Sequence, residues 1–248
     1  MTLVLDNVSH TYWNKDKEPH KVISGFHLKV RQGEFVSLIG KSGTGKSTIL
    51  KLITGLLQPD EGNIFIHDKA ISLGDVGYMP QRDLLLPWRT ILDNIMIAAE
   101  IQKDLQLTKA EASSWLERVG LSGYEDALPK QLSGGMRQRA AFLRALLTGK
   151  DVLLLDEPFG ALDALTKKEM QHWLLSIWQE LDKTILFITH DLEEACFLSD
   201  RIVLLHPNAA KEEITVDLPR PRQQDMLHSP ELASLRQELE NKISNEKS

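Results

Sequence analysis

The stretch GKSGTGKS at residues 40–47 decides the fold class of this chain of 248 residues. It fits the pattern G-x-x-x-x-G-K-[ST] and stands between an apolar run, EFVSLIG, and a helical pattern, STILKLITGLL, as a phosphate-binding loop does. In such a loop the glycines let backbone N–H groups turn toward phosphates, Lys46 reaches the outer phosphates, and the Ser47 hydroxyl binds magnesium. The predicted nucleotide-binding residues are Gly40, Lys41, Ser42, Gly43, Thr44, Gly45, Lys46, Ser47 and Thr48.

Three apolar runs later in the chain indicate a parallel sheet behind this loop. DVLLLDEP, TILFITHD and DRIVLL are each bounded by polar residues and are interleaved with helical patterns, as buried parallel strands are. Near the N-terminus, TLVLDNVSHTY and KVISGFHLKV alternate in a strand-like way and indicate a hairpin. The sequence therefore predicts an α/β fold with a β-rich N-terminal edge.

The middle of the chain has a helical character instead. RTILDNIMIAAEIQ repeats apolar residues at helical spacing, and TKAEASSWLERVG opens with the capping-box pattern of Thr108 and Glu111. These patterns indicate a helical insertion. The predicted boundaries are an α/β core over 1–87 and 150–220, a helical lobe over 88–149, and a C-terminal helical tail over 221–248.

Charge and composition narrow the function classes. Lys and Arg number 29 against 35 Asp and Glu, a net charge of −6, which argues against a nucleic-acid partner because phosphate backbones select basic surfaces. The single cysteine, Cys196, excludes an intramolecular disulfide and is expected to be buried. We find no signal peptide and no run of about 18 apolar residues, so work at a membrane would require another protein as anchor.

Two adjacent carboxylates, Asp156 and Glu157, follow the apolar run VLLL. A phosphate loop needs a carboxylate at the end of a neighbouring strand to hold magnesium, and Asp156 suits that role. Glu157 can then orient and polarise the water that attacks the γ-phosphate. His190 also follows a predicted strand, and because parallel strand ends converge on the ligand, it can reach the same phosphate. Gln81, taken alone, is an ordinary loop glutamine.

A second glycine-rich stretch, LSGGMRQR at 132–139, has the form of another anion-binding helix start. Together with GKSGTGKST, Gln81, VLLLDEP, ALD at 161–163 and the histidine of ITHD, it resembles the ATP-binding subunits of ABC transporters over essentially the whole chain. The resemblance implies a P-loop (RecA-like) core, an N-terminal antiparallel β-subdomain and an inserted α-helical subdomain. It also implies ATP and Mg²⁺ as ligands.

In that family two copies pack head to tail, and the SGG helix of one copy closes on the ATP held by the loop of the other. The resemblance therefore assigns Ser133, Gly134 and Gly135 to an ATP contact in trans. It assigns Asp163 to communication across the dimer, and it turns Gln81 into a contact to metal and water.

The same resemblance makes Tyr12 the aromatic residue that stacks on adenine. The adjacent Trp13, or simple packing within a strand, is the alternative explanation for an aromatic residue at this position.

The segment DLLLPWRTILDNI resembles the region where ABC ATPases dock a short helix of the membrane permease, and it resembles the importers of nitrate, sulfonates and taurine. We expect exposed Leu86, Pro87 and Trp88 to form the docking surface, with the start of a packed helix as the alternative. PRPR at 219–222 resembles the C-terminal region of the same importers. An importer of a pyrimidine precursor belongs to the same group and stays open.

The expected assembly is a homodimer on the cytoplasmic face of the membrane, bound to permease subunits and served indirectly by an extracytoplasmic solute-binding protein. Met136 stands where many members of the family have Gln, and we expect no C-terminal regulatory ligand site. The rival readings are a soluble ABC ATPase uncoupled from transport and a small-molecule kinase or GTPase, although the latter has no use for LSGG.

Overall fold

The structure is a computed structural model, and it describes residues 2–15, 18–102, 106–160, 162–207 and 210–245. The strands are β1 (Leu3–Trp13), β2 (Pro19–Val30), β3 (Phe35–Gly40), β4 (Glu61–Ile66), β5 (Lys69–Ala70), β6 (Gly77–Met79), β7 (Val152–Asp156), β8 (Thr184–Ile188), β9 (Arg201–Leu205) and β10 (Lys211–Thr215). The α-helices are α1 (Lys46–Ile53), α2 (Ile91–Ile101), α3 (Lys109–Arg118), α4 (Gly134–Leu146), α5 (Ala164–Leu181), α6 (Leu192–Leu198) and α7 (Pro230–Asn245).

The chain divides into two compact units. The first, which we call the loop unit, comprises Met1–Asp75 and Asp182–Ser248 and contains the phosphate loop. The second, the signature unit, comprises Val76–Leu181 and contains LSGGMRQR. The helical pattern predicted for residues 88–149 lies within the signature unit.

The loop unit contains an antiparallel sheet with the strand order β2-β1-β4-β5. The predicted N-terminal hairpin is confirmed, because β1 and β2 pair antiparallel from Leu3 opposite Val30 to Trp13 opposite Pro19. Alternate residues of β2, including Phe26, Leu28 and Val30, are buried, which is why its sequence shows the period of a half-buried strand.

The loop unit also contains four strands in the order β10-β9-β3-β8. The inner strand β3 runs parallel to both β8 and β9, which come from two of the three apolar runs predicted to be parallel strands. All five residues of β8 are buried, and β10 is an antiparallel neighbour of β9 whose mixed, half-exposed sequence gave no clear strand signal. The predicted parallel sheet is therefore confirmed, with an antiparallel strand at one edge.

The signature unit combines the parallel strands β6 and β7 with helices α2 to α5. The apolar spacing of α2 is explained by burial of Ile91, Ile95 and Ala98 on one face. Thr108 begins α3 through the predicted capping box, since its hydroxyl accepts from the Glu111 N–H while the Glu111 carboxylate accepts from the Thr108 N–H.

The short strand β6 was not predicted, because three residues are too few to show a strand period. In the described residues, no helix has both the length and the apolar character needed to cross a membrane.

Candidate active site

The register of β3 and β8 brings the phosphate loop and His190 to the same edge of the loop unit. Leu38 lies opposite Ile188. Gly40 comes two residues after Leu38, and His190 comes two residues after Ile188. Neighbouring strands are about 4.8 Å apart. The sequence-based argument that both groups sit at converging strand ends is thus supported by the observed pairing.

The glycines of the loop are required by their close surroundings or by their backbone conformation. A Cβ on Gly40 would meet the Leu205 carbonyl oxygen at 2.5 Å, and one on Gly45 would meet Cδ1 of Ile23 at the same distance. Gly43 has open space around it but a φ of 85°, in the left-handed region that other residues rarely adopt. The loop can therefore keep its tight path only with these residues.

Lys46, the first residue of α1, bends back over the loop. Its ammonium donates to the carbonyl oxygens of Gly40 at 2.6 Å and of Lys41 at 2.9 Å. The Thr44 hydroxyl donates to the Lys41 carbonyl at 2.9 Å as well. Ser47, next to Lys46 in the first turn of α1, is exposed. The loop thus presents a cation and a hydroxyl at the positive end of a helix, which suits a phosphate anion.

Tyr12 lies on β1 in contact with α1, the helix that follows the phosphate loop. Its hydroxyl is 3.4 Å from the Thr48 hydroxyl on α1, and the His10 ring stands edge-on to its ring at 4.9 Å between centroids. The Tyr12 side chain is 37% exposed, so part of it is accessible to solvent. Trp13 is 67% exposed and, as the next residue of a strand, points to the other face of the sheet.

The backbone of His190 is fixed by its two neighbours. Thr189 is buried, its hydroxyl accepts from the Asp191 N–H at 3.0 Å, and it donates to Oε2 of Glu194 at 2.5 Å. Asp191 caps α6 by accepting from the N–H groups of Glu193 and Glu194 at 2.9 and 3.3 Å. His190 itself is exposed. Its position therefore depends on where α6 begins.

The signature unit repeats the register argument with a second pair of strands. Met79 on β6 lies opposite Leu155 on β7, so Gln81 and Glu157 each follow two residues beyond a paired position. The Gln81 amide Nε2 donates to Oε2 of Glu157 at 3.0 Å. Glu157 has a φ of 46°, an unusual conformation for a residue with a Cβ, and such strain is often found at functional positions.

Tyr78, on β6, was missed by the sequence reading. Its hydroxyl hydrogen-bonds the Asp156 carboxylate, and burial, followed by the charge of Asp156, raises the pKa of Tyr78 to about 12. A neutral phenol donor thereby orients the carboxylate predicted to hold the metal. The closeness of Tyr78 to Gln81, three residues later in the sequence, could have drawn attention to it. Its partner Asp156, however, is revealed only by the pairing of β6 with β7.

The signature helix begins as the sequence predicted. Ser133 is the N-cap of α4, and its Oγ accepts from the Met136 N–H at 3.3 Å. Its hydroxyl proton can still be donated to a ligand, because a hydroxyl has one donor and two acceptor sites. A Cβ on Gly135 would lie 3.2 Å from Leu162 Cδ2, whereas Gly134 has only an arginine side-chain atom at 3.9 Å.

Asp163 immediately precedes α5. Its Oδ1 accepts from the N–H groups of Leu165 and Thr166, both at 3.1 Å. Hydrogen bonds from the Thr166 side chain and backbone lower the pKa of Asp163, so it is a carboxylate at neutral pH. Ala161, the first residue of the ALD segment, lies outside the described residues.

The predicted docking residues are placed by α2. The Asn94 side chain, which is fully buried, accepts from the Leu86 N–H at 2.7 Å and donates to three carbonyl groups of the segment that precedes α2. Pro87 is exposed and Trp88 is 73% exposed, as predicted. Leu86 is only half-exposed, a correction to the expectation for it, because its backbone is tied to Asn94. Leu84 is instead 59% exposed.

The residues predicted to hold the metal carry donor atoms that suit magnesium better than a softer metal. Ser47, Asp156 and the carbonyl oxygen of Gln81 are hard oxygen groups, the kind that Mg²⁺ prefers. In the described part of the chain no cluster of three or more His, Cys, Asp or Glu side chains is placed to hold a metal unaided.

The phosphate loop lies between the buried parallel strand β3 and helix α1, and two adjacent carboxylates, Asp156 and Glu157, stand at the end of β7. Together these features define the class of P-loop nucleotide hydrolases. Comparison with known proteins narrows this class. The profile of the ABC transporter family matches residues 23–160. The chain therefore belongs to the ABC transporter family, and it contains that family's ATP-binding and ATP-hydrolysing domain.

Similar proteins agree with this assignment. The formylaminopyrimidine import ATP-binding protein ThiZ of Halalkalibacterium halodurans is 50% identical over 203 residues, which cover 82% of this chain and 78% of that protein. The aliphatic sulfonates import ATP-binding protein SsuB of Bacillus cereus is 42% identical over 226 residues, covering 90% and 89% of the two chains. Among solved structures, the ADP- and phosphate-bound dimer of the ATP-binding cassette MJ0796 has a TM-score of 0.79 at 29% identity, with 88% of this chain and 100% of that chain covered.

Proposed function

We propose that this chain is the ATPase subunit that powers import of a small organic solute through a separate membrane permease. The observation that carries the proposal is the hydrogen bond between Gln81 and Glu157. It joins the residue proposed to act on water to the start of the segment proposed to contact the permease. Trp88 would then be linked to Glu157 through the chain back to Gln81 and through this hydrogen bond.

Each unit supplies part of the chemistry. In the loop unit, Lys46 binds the outer phosphates, Tyr12 stacks on adenine, and His190 contacts the γ-phosphate. In the signature unit, Glu157 orients and polarises the attacking water. Water is the nucleophile, and ADP leaves as the bond between the β- and γ-phosphates breaks.

Magnesium is the proposed metal. Ser47, Asp156 and Gln81 would hold it, and the ion would neutralise charge on the transferred phosphoryl group when bound. Tyr78 keeps the Asp156 carboxylate in a fixed orientation through its hydrogen bond.

The SGG segment supports a dimer in which each ATP is shared by two copies. Ser133, Gly134 and Gly135 begin a 13-residue helix whose N-terminus suits an anion. We propose that this helix contacts the γ-phosphate held by the other copy, and that Asp163 communicates across the same interface. A lone copy would then bind ATP but hydrolyse it slowly.

The named relatives support a nutrient importer without agreeing on the solute. The more similar of the two is named for a formylaminopyrimidine and the other for aliphatic sulfonates. We propose a small organic solute of this group, delivered by an extracytoplasmic binding protein to a permease that docks at Leu86, Pro87 and Trp88. A formylated aminopyrimidine is the first solute to test, with an alkanesulfonate as the alternative. The test is which of them stimulates the ATPase of the reconstituted transporter.

The decisive test of the hydrolysis mechanism is Glu157→Gln. This variant keeps the hydrogen bond to Gln81 possible but removes the carboxylate, so turnover should fall at least about 100-fold, the usual value of a positioned base. ATP should still bind, and light scattering should find an ATP-dependent dimer. Glu180→Gln, a change at an exposed ion pair with Arg118, is the matched control and should keep the wild-type rate. A Glu157→Gln enzyme with wild-type turnover would disprove the assignment.

Transport coupling has its own test. The protein should co-purify with an integral membrane permease, and Trp88→Asp should abolish this association while leaving ATP binding intact. A protein that never associates with a permease is instead the soluble ABC ATPase of the alternative reading.

A further inference from the structure

The C-terminal segment of the loop unit holds α6 at both ends, and α6 begins two residues after His190. We use the name C-terminal clamp for the three arginines Arg220, Arg222 and Arg236. Their contacts with α6 have no role in the proposed function described above.

Arg222 holds the far end of α6. It is 5% exposed, and its guanidinium donates to the carbonyl oxygens of Cys196 at 3.1 Å and Phe197 at 3.4 Å, and to that of Ser199 at 3.1 Å. These are the last-turn carbonyls that a helix cannot satisfy itself. A cation at the negative end of the helix is also favourable. The Arg222 side chain thus takes the place of water as the hydrogen-bond partner of three carbonyl groups at the C-terminal end of α6.

Arg220 adds a second contact at the same end. Its guanidinium donates to the Leu198 carbonyl oxygen at 2.6 Å and to the Asp200 carboxylate at 2.8 Å. Asp200 in turn accepts from the N–H of Phe35, the first residue of β3. The end of α6 is therefore tied to the strand that leads into the phosphate loop.

Arg236 acts near the beginning of α6. It lies on α7, which packs against α6 and buries Leu232 and Leu239. The Arg236 guanidinium is 3.6 Å from the Glu193 carboxylate, which belongs to the first turn of α6. Both groups are about half exposed, so this ion pair is a weak contact beside the buried Arg222.

We propose that Arg222 is a positioning residue for ATP hydrolysis, which sets the location of His190 through α6. This proposal rests on the proposed role of His190. The helix has seven residues and is about 10 Å long at 1.5 Å per residue, so it moves as one piece. Asp191 and Thr189 fix the histidine backbone to its start. Loss of the grip at the far end should therefore displace the imidazole.

The test compares Arg222→Gln and Arg222→Lys with the wild type in the full chain, under conditions in which circular dichroism shows each to be folded. Arg222→Gln should lower kcat about tenfold with the KM for ATP changed less than twofold, because the phosphate loop is untouched. Arg222→Lys, which keeps a cation but can reach fewer carbonyls, should fall between. If Arg222→Gln does not fold, Arg222→Lys carries the same comparison.

A double-mutant cycle with His190→Ala separates positioning from general stability. The Arg222 variants should lower kcat in the presence of His190 and cause no further loss in the His190→Ala background. Equal fold-losses in both backgrounds would overturn the positioning role while leaving the proposed function intact. A His190→Ala enzyme with wild-type kcat would overturn the role of His190 itself.

Arg201→Lys is the matched control. Arg201 is also largely buried, but its guanidinium donates to the Glu34 and Glu213 carboxylates and to the Lys29 carbonyl oxygen, which all lie outside α6. It should lower the melting temperature without lowering kcat. If it lowers kcat as much as the Arg222 variants do, the effect is general destabilisation and the proposal is wrong.

Discussion

Arg137 of the signature helix donates from Nε to Oδ2 of Asp83 at 3.0 Å, so α4 is linked to the loop that follows Gln81. The same arginine donates to the Leu132 carbonyl oxygen at 2.8 Å, just before the Ser133 cap. Arg144, two turns further along α4, donates to the Asp83 and Leu84 carbonyl oxygens at 2.6 and 2.7 Å. Arg137 therefore contacts both the start of the signature helix and the approach to the predicted docking segment, and Arg144 adds two further contacts to that approach.

Breaking this link should uncouple the ATPase from the permease. Asp83→Ala should lower the stimulation of ATPase activity by solute-loaded binding protein about fivefold, the low end of typical coupling energies. Basal ATPase activity should change less than twofold. The measurement is the rate of phosphate release by the reconstituted transporter. Arg118→Ala, which removes an ion pair with Glu180 in the same unit, should leave stimulation unchanged. Full stimulation in Asp83→Ala would contradict the link.

Removal of the Tyr78 hydroxyl should weaken magnesium binding. Tyr78→Phe takes away the donor that orients Asp156, and loss of an outer partner of a metal ligand typically costs about tenfold or more in affinity. The Mg²⁺ concentration for half-maximal ATPase activity should rise about tenfold. Tyr124→Phe, at a more exposed tyrosine of the same unit, serves as control. An unchanged Mg²⁺ dependence would show that Tyr78 does not support the metal site.

The same phenol should make stability depend on pH in the alkaline range. Burial raises the pKa of Tyr78 from 10.0 to about 12, so between these values the unfolded chain loses this proton while the folded protein keeps it. The native state then binds more protons, and its contribution to stability falls as pH rises through this window. Urea unfolding at pH 9.5 and pH 11 should give a larger loss in the wild type than in Tyr78→Phe. Equal losses would count against the raised pKa.

The two signature glycines should differ in their tolerance of a methyl group. A Cβ at Gly135 would press on Leu162 at 3.2 Å and Thr166 at 3.3 Å, whereas Gly134 has room for one. Overpacking typically costs about 1–3 kcal/mol, while alanine is the better helix former at an uncrowded position. Gly135→Ala should therefore unfold at a lower urea concentration than Gly134→Ala, with the wild type at or below Gly134→Ala. The reverse order would show that the helix start can relax.

Asn94 should be among the costly positions in the signature unit. Its amide hydrogen-bonds four backbone groups around the predicted docking segment. Asn94→Ala would remove the side-chain partner of the Leu86 N–H and of the Arg89 carbonyl, while the Leu86 and Thr90 carbonyls keep the backbone N–H groups of Arg89 and Asn94, so the cost should be about 2 kcal/mol. The free energy of unfolding from urea titration is the measurement, together with permease co-purification, which should weaken. Asn63→Ala, at an exposed strand position in the loop unit, should cost less than about 0.5 kcal/mol.

The sequence predicted those features whose signal lies within a few neighbouring residues. The phosphate loop, the Thr108 and Ser133 caps and the buried runs of β7, β8 and β9 each depend on local composition and spacing, and the structure has them all. That Gly40 and His190 lie at the same edge of the sheet also followed from the sequence, because neighbouring parallel strands end at the same edge.

Other features could not be read locally. β6 is too short for a periodic pattern, and Tyr78 gains meaning only when its strand pairs with β7. Likewise, Leu86 was expected to be exposed, but the buried amide of Asn94, eight residues away, holds it half-covered.

By itself, then, the sequence determined that this chain has a P-loop, a capped signature helix and an α/β architecture, since these are local consequences of glycine, capping residues and hydrophobic period. Tertiary structure decided which side chains position the reactive ones. Arg222 hydrogen-bonds α6 at a residue 26 positions earlier in the sequence, and Arg137 hydrogen-bonds Asp83, which is 54 positions earlier. Such partners are chosen by packing among many possible pairs, and only the folded chain brings the chosen atoms within hydrogen-bond distance.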